Sequence, residues 1–353
     1  MVNNRRLVFL DWLRIFSITS VVVGHKFYPS LAQYLSDGSV HGSLKTIIRL
    51  ILPFCLGGGT GVIVFFLVSG YVITYVLQSE QPLEFALKRI FRIYPLFITA
   101  LLIQTLIHYQ ITKAPISLQT LVPQLLLMGD IFKVPYMLLG VEWTLRIEVA
   151  FYVLMFCMRY AGLLSTYQRF FPGILILLTY LLGIVTGIPD GSYGGYGYWN
   201  MYAPFLLLGS AFLLYEKKSA SGTFLVFFAS FVLIQCWQLT IIYSPGLKDM
   251  DFVSLGFLVF LTAWLFRDSM HMNRLGFFIS ELTYSVYLFH SWLFDQIKTV
   301  PLFSSNLKAL IVLILFCIAM NKLIEKPGIR LGKSMWRWLE ERKRTPVVNG
   351  QVS

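Results

Sequence analysis

The sequence predicts an all-α, polytopic membrane helix bundle, and two properties of the chain lead to that prediction. Hydrophobic residues make up 57% of the 353 residues, charged residues only 13%, and the mean hydropathy is +0.70. A soluble domain carries about 25% charged residues. The apolar residues are also grouped into stretches near the length of a membrane-spanning helix, about 20 residues. This composition excludes a soluble globular enzyme.

Ten apolar segments are predicted to cross the membrane. They lie at about 7–28, 60–78, 93–112, 143–158, 170–188, 200–215, 223–244, 252–266, 275–294 and 307–324. The first is too long for the apolar region of a signal peptide and has no small-residue cleavage site after it. We therefore expect it to remain as the first span.

Basic residues indicate the side of the membrane that each loop faces. The formal net charge is +12, and Lys and Arg are concentrated in alternate loops and in a basic tail at 331–353, whereas 189–199 has none. Cytoplasmic loops carry the excess of Lys and Arg in membrane proteins. We expect both termini in the cytoplasm and the chain in the inner (plasma) membrane. The same rule accounts for the positive charge, so no nucleic-acid partner is expected.

The first predicted span contains three ionisable residues, Asp11, Arg14 and His25. Such residues inside a membrane are costly and usually functional. Arg14 and His25 are eleven residues apart, about three helical turns, so they share one face of a helix. The helical rise puts His25 about 27 Å above Leu7, near the outer end of the span, with Arg14 about 16 Å deeper. The alternative is a structural Asp11–Arg14 pair and an interfacial histidine.

Polar groups also occur in and after the second span. Ser69 precedes a glycine in mid-span, where it offers a hydroxyl to a site or allows close helix packing. After this span come Lys88, Arg89 and Arg92, followed by Tyr94. Three cations at helical spacing are typical of a phosphate site. The alternative is that they only mark the cytoplasmic side.

The fourth and ninth predicted spans add candidates near their outer ends. Glu148 follows Trp143 and Arg146, and His290 follows Tyr287. A carboxylate can orient a catalytic histidine, which is the role that we expect for Glu148. The alternative is a buried ion pair with Arg146 or with the arginine of the first span. His290 is expected on the substrate side or in a structural role.

Two outer segments and the cysteines complete the sequence pattern. Residues 113–142 form a long outer segment, and residues 187–199 are rich in Gly and Tyr. Aromatic rings on an outer loop suit stacking against sugar faces, or form an interfacial aromatic belt. The four cysteines lack ligand spacing, so neither a metal site nor a disulfide framework is expected. They are Cys55, Cys157, Cys236 and Cys317.

Five of these elements, in this order, resemble the acyltransferase 3 family of membrane O-acyltransferases that modify polysaccharides, O-antigens and related glycans. They are LDWLR…GH around Arg14 and His25, FFLVSGY at 65–71, RIFRIYP at 89–95, WTLRIEVAFY at 143–152 and YSVYLFH at 284–290. The EKP at 325–327 also matches. Thr144 stands where a serine is common. The resemblance covers about residues 7–330.

The resemblance implies transfer of an acyl group, most often acetyl, from cytoplasmic acyl-CoA to a hydroxyl of an extracytoplasmic glycan. It implies a membrane domain at 1–330, without the esterase-like domain that some members carry. The chain would then act alone, with a separate periplasmic partner, or as a homo-oligomer.

The implied roles divide the candidate residues into three groups. The catalytic group is His25, Glu148 and Arg14; the acyl-CoA group is Arg14, Ser69, Arg89, Arg92 and Tyr94; and the acceptor group is Trp143, Arg146, Tyr287 and His290. His25 would act as a general base or accept the acyl group itself. The rival interpretations are a transporter of a glycan or small anion, which predicts inverted repeats that are not visible here, and a sensor or scaffold.

Overall fold

The structure is a computed structural model that describes residues 7–166, 168–192, 195–247 and 251–344. Within these ranges the chain is helical, with no strand beyond one isolated bridge between Asp190 and Tyr196. The end of the predicted basic tail, 345–353, lies outside the described residues.

Sixteen α-helices are present in the described part of the chain. In order they are α1 Val8–Val22, α2 Tyr28–Ser36, α3 Gly42–Ile51, α4 Gly59–Leu77, α5 Pro82–Thr112, α6 Leu118–Leu125, α7 Gly129–Phe132, α8 Glu142–Tyr160, α9 Phe171–Ile184, α10 Tyr198–Glu216, α11 Gly222–Tyr243, α12 Phe252–Leu265, α13 Arg274–Phe289, α14 Trp292–Lys298, α15 Asn306–Met320 and α16 Lys326–Arg344. Each of the ten predicted segments coincides with one of them.

Five helical stretches are long and apolar enough to cross a bilayer. They are Val8–Ser36, Gly42–Leu77, Pro82–Thr112, Gly222–Tyr243 and Asn306–Arg342. Other helices are shorter; α9 and α12 have 14 residues each. Helix α8 is long enough but carries several charged residues. The all-helical fold is thus confirmed. The count of ten crossings and the cytoplasmic placement of the termini stay predictions.

The centre of the bundle is formed by α4, which packs against α1, α10 and α12. Two glycines allow α4 and α10 to approach closely. A Cβ at Gly70 would lie 1.9 Å from the carbonyl oxygen of Leu206, and a Cβ at Gly209 would lie 2.1 Å from that of Leu67. Small residues at membrane helix interfaces permit this backbone contact. Gly70 therefore has the packing role that was one interpretation of the Ser-Gly pair.

The end of α1 widens into a π-helical turn, Val23–Phe27, which carries His25. Such turns are frequent at functional sites because they redirect side chains. This turn packs on the chain before α4, where a Cβ at Gly24 would meet the carbonyl oxygen of Cys55 at 2.0 Å. Gly57 and Gly58 both adopt positive φ there, at 59° and 71°. These glycines let the backbone pass beside His25.

The α5–α8 connection, residues 113–141, is held to the bundle by a buried ionic cluster around Asp130. Arg146 of α8 donates to Asp130 and, at 2.8 Å, to the amide oxygen of Gln124. The indole of Trp199 also donates to Asp130, at 3.0 Å. Nearby, the carboxylate of Glu142 accepts two backbone amides of the connection, at 2.6 and 2.7 Å. A buried arginine and its carboxylate thus anchor this long connecting segment.

The predicted basic tail continues from the last apolar segment as α16, joined to α15 by the π-helical turn Asn321–Glu325. It packs along α5, where Cβ atoms at Gly328 and Gly332 would come within 3 Å of Pro95 and Phe91. The described part of this tail is therefore a packed helix.

Candidate active site

Two cavities lie between the helices that carry the sequence motifs. The arginine cavity, of about 80 Å³, is lined by Arg14, Ser17, Ile18, Val21, Gly61, Val62, Phe65, Arg92, Ile93, Thr144, Leu145, Glu148, Tyr152, Thr283, Tyr284 and Tyr287. The histidine cavity, of about 650 Å³, is lined by Val21, His25, Gly57, Gly59, Val62, Pro135, Tyr136, Leu139, Gly140, Val141, Trp143, Gly195, Tyr198, Tyr202, Ser244, Leu247, Tyr287, His290 and Ser291.

The two cavities adjoin, because Val21, Val62 and Tyr287 line both. Tyr287 is fixed at this junction. Its hydroxyl lies 2.5 Å from that of Thr144 and donates to the carbonyl of Val141 at 3.2 Å. Its ring stacks on Phe65, with centroids 6.1 Å apart and planes within 5°. Thr144, which replaces the common serine, thus keeps a hydroxyl on Tyr287.

The arginine cavity gathers charges from three helices. Arg14 forms an ion pair with Asp11 at 3.3 Å, and 30% of the arginine side chain remains accessible against 2% of the aspartate. Asp11 is further held by the hydroxyl of Ser280 at 2.6 Å. Arg92 faces the same space and repels Arg14 electrostatically. Asp11 thus positions Arg14, whose free surface faces the cavity.

Glu148 lies in the wall of the arginine cavity, and the contact with His25 that we expected is not formed. Its carboxylate accepts from the hydroxyl of Ser69 at 2.8 Å and from that of Tyr152. His25 lines the other cavity, where its Nδ1 lies 3.0 Å from Nε2 of His290. The sequence analysis did not predict that His25 contacts His290, because the two residues are 265 positions apart.

The histidine cavity combines an accessible imidazole with aromatic walls. His25 is exposed to it, whereas His290 is only 1% exposed and its Nδ1 lies 2.6 Å from the carbonyl oxygen of Tyr287. In the lining of the same cavity, the ring of Trp143 lies 4.7 Å from that of Tyr198 and 4.9 Å from that of Tyr202, between centroids. The cavity can therefore hold an apolar ring face beside a proton acceptor.

Comparison with known families identifies the chain. The family profile described as an acyltransferase domain matches residues 7–321. The chain belongs to the acyltransferase 3 family. This match spans every candidate residue from Arg14 to His290. Comparison with curated proteins and with solved structures gives no match.

The three arginines predicted to contact one donor are divided in this acyltransferase. Arg14 and Arg92 line the arginine cavity, whereas Arg89 lies with Tyr94 in a neighbouring groove of about 380 Å³ between α5 and α8. Tyr152 lines both spaces, and the Arg89 guanidinium lies 5.9 Å from its ring centre. Nε of Arg89 is buried without a hydrogen-bond partner in the described structure. Arg89 thus has an unused donor beside the cavity.

We predicted that Arg146 contacts the acceptor, but in the structure it lies elsewhere in the acyltransferase. It is 2% exposed, and its guanidinium packs 4.5 Å from the ring centre of Tyr136 while it pairs with Asp130. Arg146 therefore positions the α5–α8 connection, which supplies Tyr136 to the histidine cavity. The sequence analysis did not select Asp130, although it is the one acidic residue in the connection 113–141.

Proposed function

We propose that this acyltransferase moves an acyl group, most often acetyl, from acyl-CoA on the cytoplasmic side of the inner membrane to a hydroxyl of an extracytoplasmic glycan. The observation that carries the proposal is the junction at Val21, Val62 and Tyr287. It joins a cavity with two arginines to a cavity with an exposed histidine and aromatic walls. A donor bound at one end and an acceptor bound at the other would meet between them.

The donor end fits an anion with a thin uncharged arm. Arg14 and Arg92 both line the arginine cavity together with Glu148, Asp11 pairs with Arg14, and Arg89 lies in the neighbouring groove. Clustered arginines repel one another unless an anion neutralises them, and guanidinium groups bind phosphate in two-pronged geometry. At about 80 Å³ the cavity is narrow. The phosphates of acyl-CoA would stay at the arginines while its arm passes toward Tyr287.

The acceptor end fits a sugar ring. Trp143, Tyr198 and Tyr202 form one aromatic wall of a cavity that is eight times larger than the arginine cavity, about 650 against 80 Å³. Aromatic faces bury the apolar face of a flat ligand, and hydroxyl groups at their edges orient it. A glycan held on this wall would present a hydroxyl toward His25.

His25 would supply the acid–base chemistry of the transfer. It takes the proton of the acceptor hydroxyl as that oxygen bonds to the thioester carbonyl carbon. The C–S bond then breaks, and His25 returns the proton to the sulfur to give free CoA. An acyl-histidine intermediate remains the second route. Double-displacement initial-rate kinetics would favour that route, and intersecting patterns the direct one.

The test is release of free CoA by purified protein in liposomes given acetyl-CoA, with and without a crude glycan acceptor. We expect acceptor-dependent release in the wild type and a loss of about 10²–10⁴-fold in His25→Ala. His41→Ala is the matched control, since His41 is exposed and contacts Ser43 instead. Equal release in wild type and His25→Ala would remove His25 from the chemistry. No release from folded wild type would favour the transporter interpretation.

A further inference from the structure

A chain of hydrogen bonds runs from a backbone carbonyl to the exposed histidine. The carbonyl oxygen of Tyr287 lies 2.6 Å from Nδ1 of His290, and Nε2 of His290 lies 3.0 Å from Nδ1 of His25. A carbonyl oxygen can only accept a hydrogen bond. Nδ1 of His290 must therefore carry a proton, and that assignment determines the rest of the chain.

His290 is neutral in this setting because a second charge there would be buried beside another cation. It is 1% exposed, and the ammonium of Lys26 is the neighbouring charge, paired with Asp295 at 2.8 Å. A buried charge without a counter-ion is strongly disfavoured. A neutral imidazole carries one proton, so Nε2 of His290 is bare and accepts from Nδ1 of His25.

The relative orientation of the two rings supports this hydrogen bond. Their centroids are 5.2 Å apart and their planes lie within 19°. The nitrogens are 3.0 Å apart, and this distance plus the radii of the two rings nearly equals the 5.2 Å between the ring centres. Both nitrogens therefore lie almost on the line that joins the centres. The rings thus meet edge to edge, along the direction in which an N–H points at a lone pair.

The other nitrogen of His25 is left as a free base. With its proton on Nδ1, a neutral His25 has a bare Nε2. Gly58 keeps that atom uncrowded, because a Cβ at this position would lie 3.2 Å from it. The backbone of Gly57 also faces the imidazole and can accept a hydrogen bond once the ring is protonated. The opposite tautomer of His25 would set two bare nitrogens 3.0 Å apart.

We infer that His290 is a positioning residue that, through the Tyr287 carbonyl, fixes His25 in the Nδ1–H tautomer, so that Nε2 is the atom that takes the acceptor proton. The inference rests on the proposed function. His25 keeps its Nδ1–H bond to His290 throughout, while Nε2 gains the hydroxyl proton and then gives it to the departing sulfur of CoA. His290 itself exchanges no proton.

Two polar substitutions of similar character test this role. The amide oxygen of Gln in His290→Gln can occupy the place of Nε2 and accept from His25. The shorter Asn in His290→Asn reaches only the place of Nδ1. We expect kcat within about tenfold of wild type for His290→Gln and a loss on the order of 10²–10⁴-fold for His290→Asn. The KM of the acceptor should change little in both.

The second readout is the ¹⁵N spectrum of ring-labelled histidine in lipid nanodiscs, recorded without substrate. His25→Ala assigns the His25 signals among the five histidines. Protonation of Nδ1 is expected in wild type and His290→Gln, and protonation of Nε2 in His290→Asn. A wild-type His25 protonated on Nε2, donating to Gly57, would overturn the inference, as would equal kcat in the two variants.

The spectrum separates this inference from the proposed function. If the wild-type protein shows the Nδ1–H tautomer but His25→Ala retains full acceptor-dependent CoA release, the pairing of the histidines holds and the catalytic role fails. If His25→Ala is inactive but the tautomer is Nε2–H, the proposed function stands and His290 has only a packing role. The wild-type spectrum decides the tautomer even if a variant does not fold.

Discussion

The two cavities of this acyltransferase are built in different ways. The arginine cavity is narrow, and its charged side chains project from the interiors of α1, α5 and α8. The histidine cavity is wide, and much of its wall comes from turns and helix ends, such as Gly57, Gly140, Gly195 and Ser291. Helix interiors give a rigid site, whereas loops vary readily in sequence and shape. The contrast agrees with the proposal that the donor binds in the arginine cavity and the acceptor in the histidine cavity.

The largest effect is expected from blocking the junction of the cavities. Val62 lines both, so Val62→Trp should close the passage and lower transfer by at least about 10²-fold, while radiolabelled acetyl-CoA still binds at the arginines. CoA release and donor binding are measured on the same protein. Val62→Ile is the control and should retain activity. Undiminished transfer in Val62→Trp would mean that donor and acceptor do not meet here.

A smaller effect, confined to the donor, is expected from Arg92→Gln. Losing a charged hydrogen bond to phosphate costs about 1.5–3 kcal/mol, so the KM of acetyl-CoA should rise by about 10- to 150-fold. The KM of the acceptor should not change. Arg159→Gln at the end of α8 removes a charge of the same sign elsewhere and should leave both constants as in wild type. A rise in the acceptor constant instead would break the division between the cavities.

The converse effect is expected at the aromatic wall. Trp143→Ala should raise the KM of the acceptor by about 3- to 10-fold, because one aromatic contact contributes about 0.5–1.5 kcal/mol. The KM of acetyl-CoA should stay constant. Trp237→Ala is the matched control, since Trp237 is 58% exposed on α11, away from both cavities. Equal changes in both constants would show that Trp143 acts on the whole fold.

The smallest effect is expected at an exposed ion pair, in which Lys133 joins the α5–α8 connection to Asp190 at 2.7 Å. The pair lines a small space that shares Tyr136 with the histidine cavity. The Lys133 ammonium, followed by Ser192, holds the pKa of the Asp190 carboxyl well below its ordinary range. A carboxyl whose pKa is lowered in the folded protein stabilises it fully above the ordinary pKa of about 4. This stabilisation is lost only as the pH falls toward the lowered pKa.

The acceptor KM should therefore not change between pH 8 and pH 5 through this pair. Lys133→Ala should shift that constant by less than about fivefold, as an exposed ion pair contributes little. Wild type, Lys133→Ala and Asp190→Asn are compared across the range. A rise in the wild-type constant toward pH 5 that Asp190→Asn abolishes would contradict this expectation.

Hydropathy determined most of the helix assignment. Each of the ten predicted segments is helical, and most boundaries agree within a few residues. An apolar segment in the bilayer satisfies its backbone polar groups only as a helix or as a strand of a closed barrel. The exception is α5, which begins at Pro82, 11 residues before the predicted start at 93. Its first three turns carry Lys88, Arg89 and Arg92, charges that a hydropathy criterion excludes although a helix accommodates them.

By itself, the sequence determined the helical membrane architecture and the family, whereas His25, which was expected to share a helix face with Arg14, lies beyond α1 in a π-helical turn. These features are read along the chain, because hydropathy and each motif belong to one stretch of sequence. Only the tertiary structure decided the distant partners: His290 for His25, Ser69 for Glu148, and Asp130 for Arg146. A buried polar group bonds to whichever group the packing brings within about 3 Å, and that choice depends on helices far apart in the chain.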